Sequence, residues 1–285
     1  MKKYQRFAFL SAMILFSFYL TGCSVTQLAY EHSDWLIIHR VDHYFDITSE
    51  QRTYLKNRLA EHLVWHRQEE LPLYVEFLKA FRDKSQNGLM EQELDWAFDD
   101  FDARRRALFN QILPDAVYFL ASLSKAQITY YEKKVVKNAP NNNAEKSAAE
   151  IQQRLEKRAD KIITNMEDWF GPLSDAQIHR IKILSFTLPD IKEDWANYRD
   201  ERRKELIQLL RQKNCSTQVE AYLKSVLLNP TEDYPPQYRD KFAQMQKAIK
   251  TMILQIDKLL TSEQRTKALK KIDNYVRDFE KLKRY

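Results

Sequence analysis

Apolar and charged residues recur at intervals of three and four along nearly the whole chain from residue 26 onward, the spacing that lays one apolar stripe along an α-helix. Ile151, Leu155, Ile162, Met166 and Trp169 form one such stripe, and Leu269, Ile272, Val276, Phe279 and Lys283 form another. The second resembles a coiled-coil seam but lasts only two heptads, which fits a bundle helix better than an oligomerisation coil. The pattern predicts helices at 26–45, 49–70, 72–86, 90–113, 114–122, 125–138, 145–170, 175–188, 190–213, 218–228, 237–259 and 262–283. Their limits fall at Leu71-Pro72, Asn87-Gly88, Pro114, Asn138 to Asn143, Gly171-Pro172, Pro189 and Asn229 to Pro236. Each is a Pro, Gly or Asn cluster that ends or kinks a helix.

Composition points the same way. With 3 Gly in 285 residues and 30% of residues charged, turn material for hairpins is scarce and material for amphipathic helices is abundant. The expected fold is all-α, an irregular multi-helix bundle of about ten to twelve helices with no sheet. The Asn-rich segment from Asn138 to Asn143 is the one clear loop. It divides residues 47–285 into two subdomains near 138–144, or else interrupts one continuous bundle.

The first residues break the amphipathic pattern. Lys2, Lys3 and Arg6 precede an uncharged run from Phe7 to Leu20, long enough for a signal-peptide core and short for a membrane span. The run ends in Leu20-Thr21-Gly22-Cys23, which resembles a bacterial lipoprotein lipobox: cleavage follows Gly22, and the Cys23 thiol is acylated. That resemblance implies a signal peptide over 1–22, a lipid anchor and membrane-proximal segment over 23–46, and a periplasmic location. Ser24 in place of Asp favours the outer membrane over the inner. No Gly/Ser-rich tether precedes Trp35-Leu36-Ile37-Ile38, and ten extended residues span only about 35 Å, so the domain is expected close to its membrane. With Cys23 committed to lipid, Cys215 is a lone thiol, read as buried or as free to pair between chains.

One pattern recurs four times: Ile47-Thr48-Ser49-Glu50-Gln51, Leu123-Ser124-Lys125-Ala126-Gln127, Leu173-Ser174-Asp175-Ala176-Gln177 and Leu260-Thr261-Ser262-Glu263-Gln264. This is the chemistry of a capping box. The Ser or Thr hydroxyl accepts from the third helical N–H, the Gln side chain returns to the N-cap N–H, and the preceding apolar residue packs as a staple. Each cap contributes about 1 kcal/mol. An all-helical protein needs good helix starts, and that need alone accounts for the motif. The pattern also resembles the L-[ST]-x-x-Q signature of small periplasmic envelope-stress chaperones, whose helices cradle unfolded clients. Those proteins are shorter, carry two such motifs and are generally soluble. Spacings of 76, 50 and 87 residues between the Ser/Thr positions exclude a regular solenoid.

A second resemblance covers most of the chain after Cys23. It is carried by Asp34-Trp35-Leu36, by Asp42-His43-Tyr44-Phe45-Asp46 leading into the first motif, and by Trp65-His66-Arg67-Gln68-Glu69-Glu70-Leu71-Pro72-Leu73-Tyr74. These stretches look like a family of bacterial lipoproteins known only as a domain of unknown function. The resemblance implies a helical, membrane-tethered envelope protein and no catalytic residues.

Candidate chemistry is sparse. Five of six histidines lie between His32 and His66, and His39 with His43 and His62 with His66 have the i, i+4 spacing that puts two imidazoles on one helix face. Asp42 or Glu69 could complete a zinc site, but no Glu directly follows either first His. His62 and His66 continue the stripe of Leu55 and Leu59, which favours hydrogen-bonded residues at a core edge. No metal and no cofactor are expected, and His39, His43, His62 and His66 are the residues a metal would use. Asp99, Asp100 and Asp102 meet Arg104, Arg105 and Arg106 at helical spacing, with Asp100 to Arg104 and Asp102 to Arg106 expected as ion pairs on a solvated face. There is no glycine-rich phosphate loop, nucleophile elbow or paired-cysteine motif.

Charge is uneven. Arg239 to Tyr285 carries +7 and Cys23 to Tyr238 about −4, an asymmetry suited to anionic head groups, to an acidic protein, or to the acidic part of the same fold. Few aromatics accompany the basic residues and the address is periplasmic, so nucleic acid is not an expected partner. The expectation is a lipid-anchored protein that binds and does not catalyse: a chaperone-like or assembly factor for envelope proteins. An adaptor for one folded partner, through Trp35 to Ile38 or the basic C-terminus, is the alternative. A metal-dependent envelope enzyme is the third reading. Oligomeric state stays open.

Overall fold

A computed structural model describes residues 25–137, 147–212 and 215–283. Gly22, Cys23 and the Asn138 to Asn143 segment lie outside the described residues. Among the described residues every regular element is helical, as the periodicity requires: α1 (Val25–Glu31), α2 (Ser33–Phe45), α3 (Ser49–Trp65), α4 (Leu71–Ser85), α5 (Glu91–Ala121), α6 (Lys125–Lys137), α7 (Ala148–Phe170), α8 (Asp175–Phe186), α9 (Lys192–Leu210), α10 (Ser216–Leu228), α11 (Pro236–Asp257) and α12 (Ser262–Leu282). The fold is an all-α multi-helix bundle. No helix among the described residues is long and apolar enough to cross a membrane.

Three expected limits differ. Pro114 does not divide a helix, because α5 runs through it to Ala121. Proline at mid-helix costs about 3 kcal/mol, and the burial of Leu113, Phe119 and Leu120 around it offsets that cost. Leu71-Pro72 does not stop the chain either. The turn before it widens to a π turn, His66–Glu70, in which the Leu71 N–H bonds to the His66 carbonyl, and Pro72 enters the first turn of α4. The expected 26–45 helix is interrupted at His32, yet His32 N–H still bonds Leu28 O and Leu36 N–H bonds His32 O at 3.2 and 3.1 Å, so α1 and α2 keep a common helical register.

The helices follow one plan twice. In the first half α2 leads through a motif turn into α3, and α5 through another into α6, with α2 packed on α6 and α3 on α5. In the second, α7 leads into α8 and α11 into α12, with α7 on α12 and α8 on α11. The connecting helices are exchanged. α4, from the first half, lies antiparallel along α12: the Tyr74 and Phe279 rings are 6.1 Å apart, Arg82 Nε is 2.7 Å from Asp273, and Arg265 Nη1 donates to Ser85 O at 3.0 Å. In return α9 and α10 pack on α6 and α5. There Arg105 donates to Leu228 O at 3.2 Å and Arg106 to Asn229 Oδ1 at 3.1 Å.

The cores follow from this exchange. Ile38, Phe119, Ile128, Tyr131 and Val135 of the first half close around Leu206, Ile207, Leu210, Cys215 and Val219 from α9 and the start of α10. Cys215 is therefore buried in a core. The second core joins Ile181, Leu184 and Leu188 to Met252 and Ile256. A third cluster stacks Tyr198, Tyr234 and Tyr238 against Ile191 and Phe242. Each fully buried aliphatic or aromatic side chain contributes about 1.5–3 kcal/mol.

Candidate functional site

The four repeated motifs are helix starts. Thr48, Ser174 and Thr261 are the N-caps of α3, α8 and α12, each with both halves of the capping box, and Ser124 does the same for α6: Gln127 N–H donates to its hydroxyl at 3.2 Å and Ser124 N–H to Gln127 Oε1 at 3.0 Å. The structure then brings the motifs together in pairs. Gln127 Nε2 donates to Gln51 Oε1 at 2.6 Å, and Gln177 Nε2 to Gln264 Oε1 at 2.7 Å. The remaining amide hydrogens reach the residue two before the opposite N-cap: Asp46 O from Gln127, Leu259 O from Gln177, Pro172 O from Gln264, and the Ser122 hydroxyl from Gln51. Each half is thus clasped by two side-chain amides that cap their own helix and hold the neighbouring turn.

The sequence contained a further part of this motif. Thr53, Thr129 and Thr266, two residues after three of the four glutamines, each donate to the carbonyl four residues back. The fourth position is His179.

Beside the second clasp lies an apolar groove. It opens between α4, α7, α11 and α12, has a volume of about 270 Å³, and is lined chiefly by Phe81, Met166, Trp169, Phe170, Met252 and Leu269. Leu260 of the fourth motif forms one end. The polar groups that border it are committed to one another: Asp257 accepts from Arg265 Nη1 at 2.7 Å and from Leu89 N–H at 2.9 Å, and Arg265 Nη2 donates to Asp257 O at 3.0 Å. In the first half Leu206, Ile207 and Leu210 enter the core, and the hollow beside Leu123 and Ile128 is bordered by Lys125, Arg211 and Gln212, so it is more polar. The groove has partnered polar groups at its border and methionine on two sides. It can take up apolar matter of variable shape.

The histidines do not converge. His39 stacks on Trp35, with ring centroids 5.3 Å apart, and His43 meets Tyr44 edge-on. His62 Nε2 lies 2.7 Å from Asp115 Oδ2, and His66 Nδ1 pairs with the Tyr30 hydroxyl at 3.0 Å. Among the described residues, no group of three or more His, Cys, Asp or Glu is placed to hold a metal ion.

Asp115 is instead the centre of a tie between α3 and α5. It accepts from Tyr54 Oη at 2.6 Å and Arg58 Nε at 2.8 Å as well as facing His62. Burial alone would raise its carboxyl, but hydrogen bonds from Arg58, Tyr54 and His62 outweigh it and hold the group below the usual carboxylate range. Tyr54 is pushed up to about 12, by burial first and then by this carboxylate.

The arginines of α5 depart from the expected solvated face. Asp102 does pair with Arg106, at 2.7 Å, and with Arg105. Arg104, however, turns from Asp100 toward buried Glu70, 3.5 Å away, because the π turn brings that carboxylate under α5. Burial raises the Glu70 carboxyl while Arg104 opposes the rise.

With this geometry in place, the chain is identified as belonging to a protein family of unknown function, DUF6279, which it matches over residues 43–239. No curated protein matches it, and no solved structure does.

Proposed function

Starting from that family membership, we propose that the chain is a lipoprotein, acylated at Cys23, that acts at the periplasmic face of the bacterial outer membrane by binding apolar segments of envelope proteins. Its task is chaperone-like or that of an assembly factor, without catalysis. The observation that carries this reading is the groove of Met166, Trp169, Met252 and Leu269, open on one side and bordered by polar groups that already have partners. At about 270 Å³ it has room for an aromatic or two aliphatic side chains, since a cavity of about 150 Å³ takes a benzene. Support for the address comes from the Leu20-Thr21-Gly22-Cys23 pattern and the basic, then uncharged, start. The Gln177–Gln264 clasp beside the groove ties its helices together, which reduces the ordering cost of binding.

Photo-crosslinking in living cells from residues 169 and 269, with residues 157 and 208 as distant controls, tests this reading. Capture of many nascent envelope proteins at the groove positions alone is expected. One dominant product would instead make the chain an adaptor for a single partner, and equal capture at groove and control positions would refute the groove.

A further inference from the structure

Helices α1 and α2 are apolar on two sides. Toward the core, Ile38 is buried, and Val41 and Phe45 pack with it against Phe119 and Tyr131. On the opposite side, Leu28, His32, Trp35, Leu36 and His39 fall at i, i+4, i+7, i+8 and i+11, one continuous stripe because the helical register survives the break at His32. Every member of that stripe is exposed: Leu28 by 53%, Trp35 by 61% and Leu36 by 49%. Glu31, exposed and spaced i+3 from Leu28 and i−4 from Trp35, borders the stripe on one edge. The nearest acidic side chain toward the C-terminus, Asp42, is neutralised by Arg52 at 2.8 Å. Arg40 stands exposed beside the stripe, its guanidinium over the Tyr44 ring.

An exposed apolar stripe on a helix that already buries another face in its own core marks an interaction site. We infer that this partner is the lipid surface itself: the Leu28/Trp35/Leu36 stripe lies in the membrane interface, flat against the leaflet that holds the acyl chain. The inference rests on the reading of Cys23 as the lipid anchor. Leu28 lies five positions after Cys23, a reach of at most about 18 Å, so the anchor delivers this stripe to the bilayer surface before any other part of the fold. The composition fits that position. An indole with flanking imidazoles and an arginine suits the head-group region, and leucines enter the acyl boundary to a depth of about 5–10 Å. The acylated Cys23 holds the chain at the membrane but leaves its orientation free, and a second contact restricts it. This stripe supplies such a contact and also fixes which way the domain faces, with the opposite side of α2 and the bundle behind it turned to the periplasm.

The test uses the full processed chain, isolated from bacterial membranes and reconstituted in phosphatidylethanolamine and phosphatidylglycerol vesicles whose acyl chains carry bromine. Bromine quenches indole fluorescence on contact. Wild type is expected to show a quenched component that Trp35→Phe reduces by more than half and Trp195→Phe leaves intact. Mass spectrometry of the Cys23 peptide reads the anchor separately. An acylated chain whose quenching does not depend on Trp35 overturns the interfacial stripe alone and leaves it to a protein partner. A chain without acyl at Cys23 overturns the anchor, and this inference with it.

Discussion

The side-chain amides of Gln177 and Gln264 bond to each other in both directions, at 2.7 and 3.1 Å, across 87 residues of sequence. Both are buried, and each also caps the N-terminus of its own helix. Loss of one partner therefore strands a cap, an amide and a carbonyl together.

Gln177→Ala is expected to lower stability by about 2 kcal/mol, measured by urea denaturation, because Leu259 O and Gln264 lose buried partners. Gln51→Ala is expected to cost about half as much, since Gln51 is partly exposed and Gln127 Nε2, which donates to it at 2.6 Å, keeps Asp46 O as a second acceptor at 3.2 Å. A double-mutant cycle on Gln177 and Gln264 should give a coupling of about 1 kcal/mol. Additive effects would show that the clasp acts as two separate caps.

Asp115 sets a pH dependence. Its carboxyl is held below its unfolded value of about 3.9, so the stabilisation is fully present above that pH and is lost as pH falls through the lower folded value. Asp115→Asn should cost about 2 kcal/mol at pH 7 and progressively less below about pH 4. Stability curves of the two proteins that stay parallel down to pH 2 would contradict this.

Gly171 closes α7 with φ 86° and ψ −166°, a conformation that side chains avoid, and an added Cβ would stand 3.0 Å from Lys267 Nζ. Gly171→Ala should therefore cost about 1–3 kcal/mol and lower the melting temperature by several degrees, as calorimetry would report. An unchanged melting point would mean that this turn can relax.

Filling the groove should separate binding from folding. Ala268 borders it, and Ala268→Trp is expected to displace a hydrophobic dye such as an anilinonaphthalene sulfonate from the native protein. Far-ultraviolet circular dichroism should stay unchanged. Undiminished dye fluorescence would place the apolar binding surface elsewhere.

The local rules of the chain were open to reading because they depend on neighbours in sequence. Thr48 with Gln51 and Thr261 with Gln264 announce their caps within four residues, and the Leu269/Ile272/Val276 stripe announces a buried face. What they face was not legible. Gln177 pairs with Gln264 and not with Gln127 because packing of α7 on α12 and α8 on α11 brings those turns together, and no residue near Gln177 encodes that choice. Pro114 misled for a related reason, since burial of residues on both sides overrides a local breaker. The groove is legible only as residues: Met166, Trp169 and Leu269 lie on recognised stripes, but an unfilled gap between stripes is a property of four helices at once.

The exchange of connecting helices also orders events in time. α4 is made early, yet the helix it lies along, α12, is made some 180 residues later. Until then α4 lacks the helix along which it lies, and the first half waits likewise for α9 and α10. Contacts this distant in sequence slow folding. A nascent chain of this protein must therefore pass through a long interval with apolar faces uncovered, and it is itself a substrate for the kind of protection it is proposed to give.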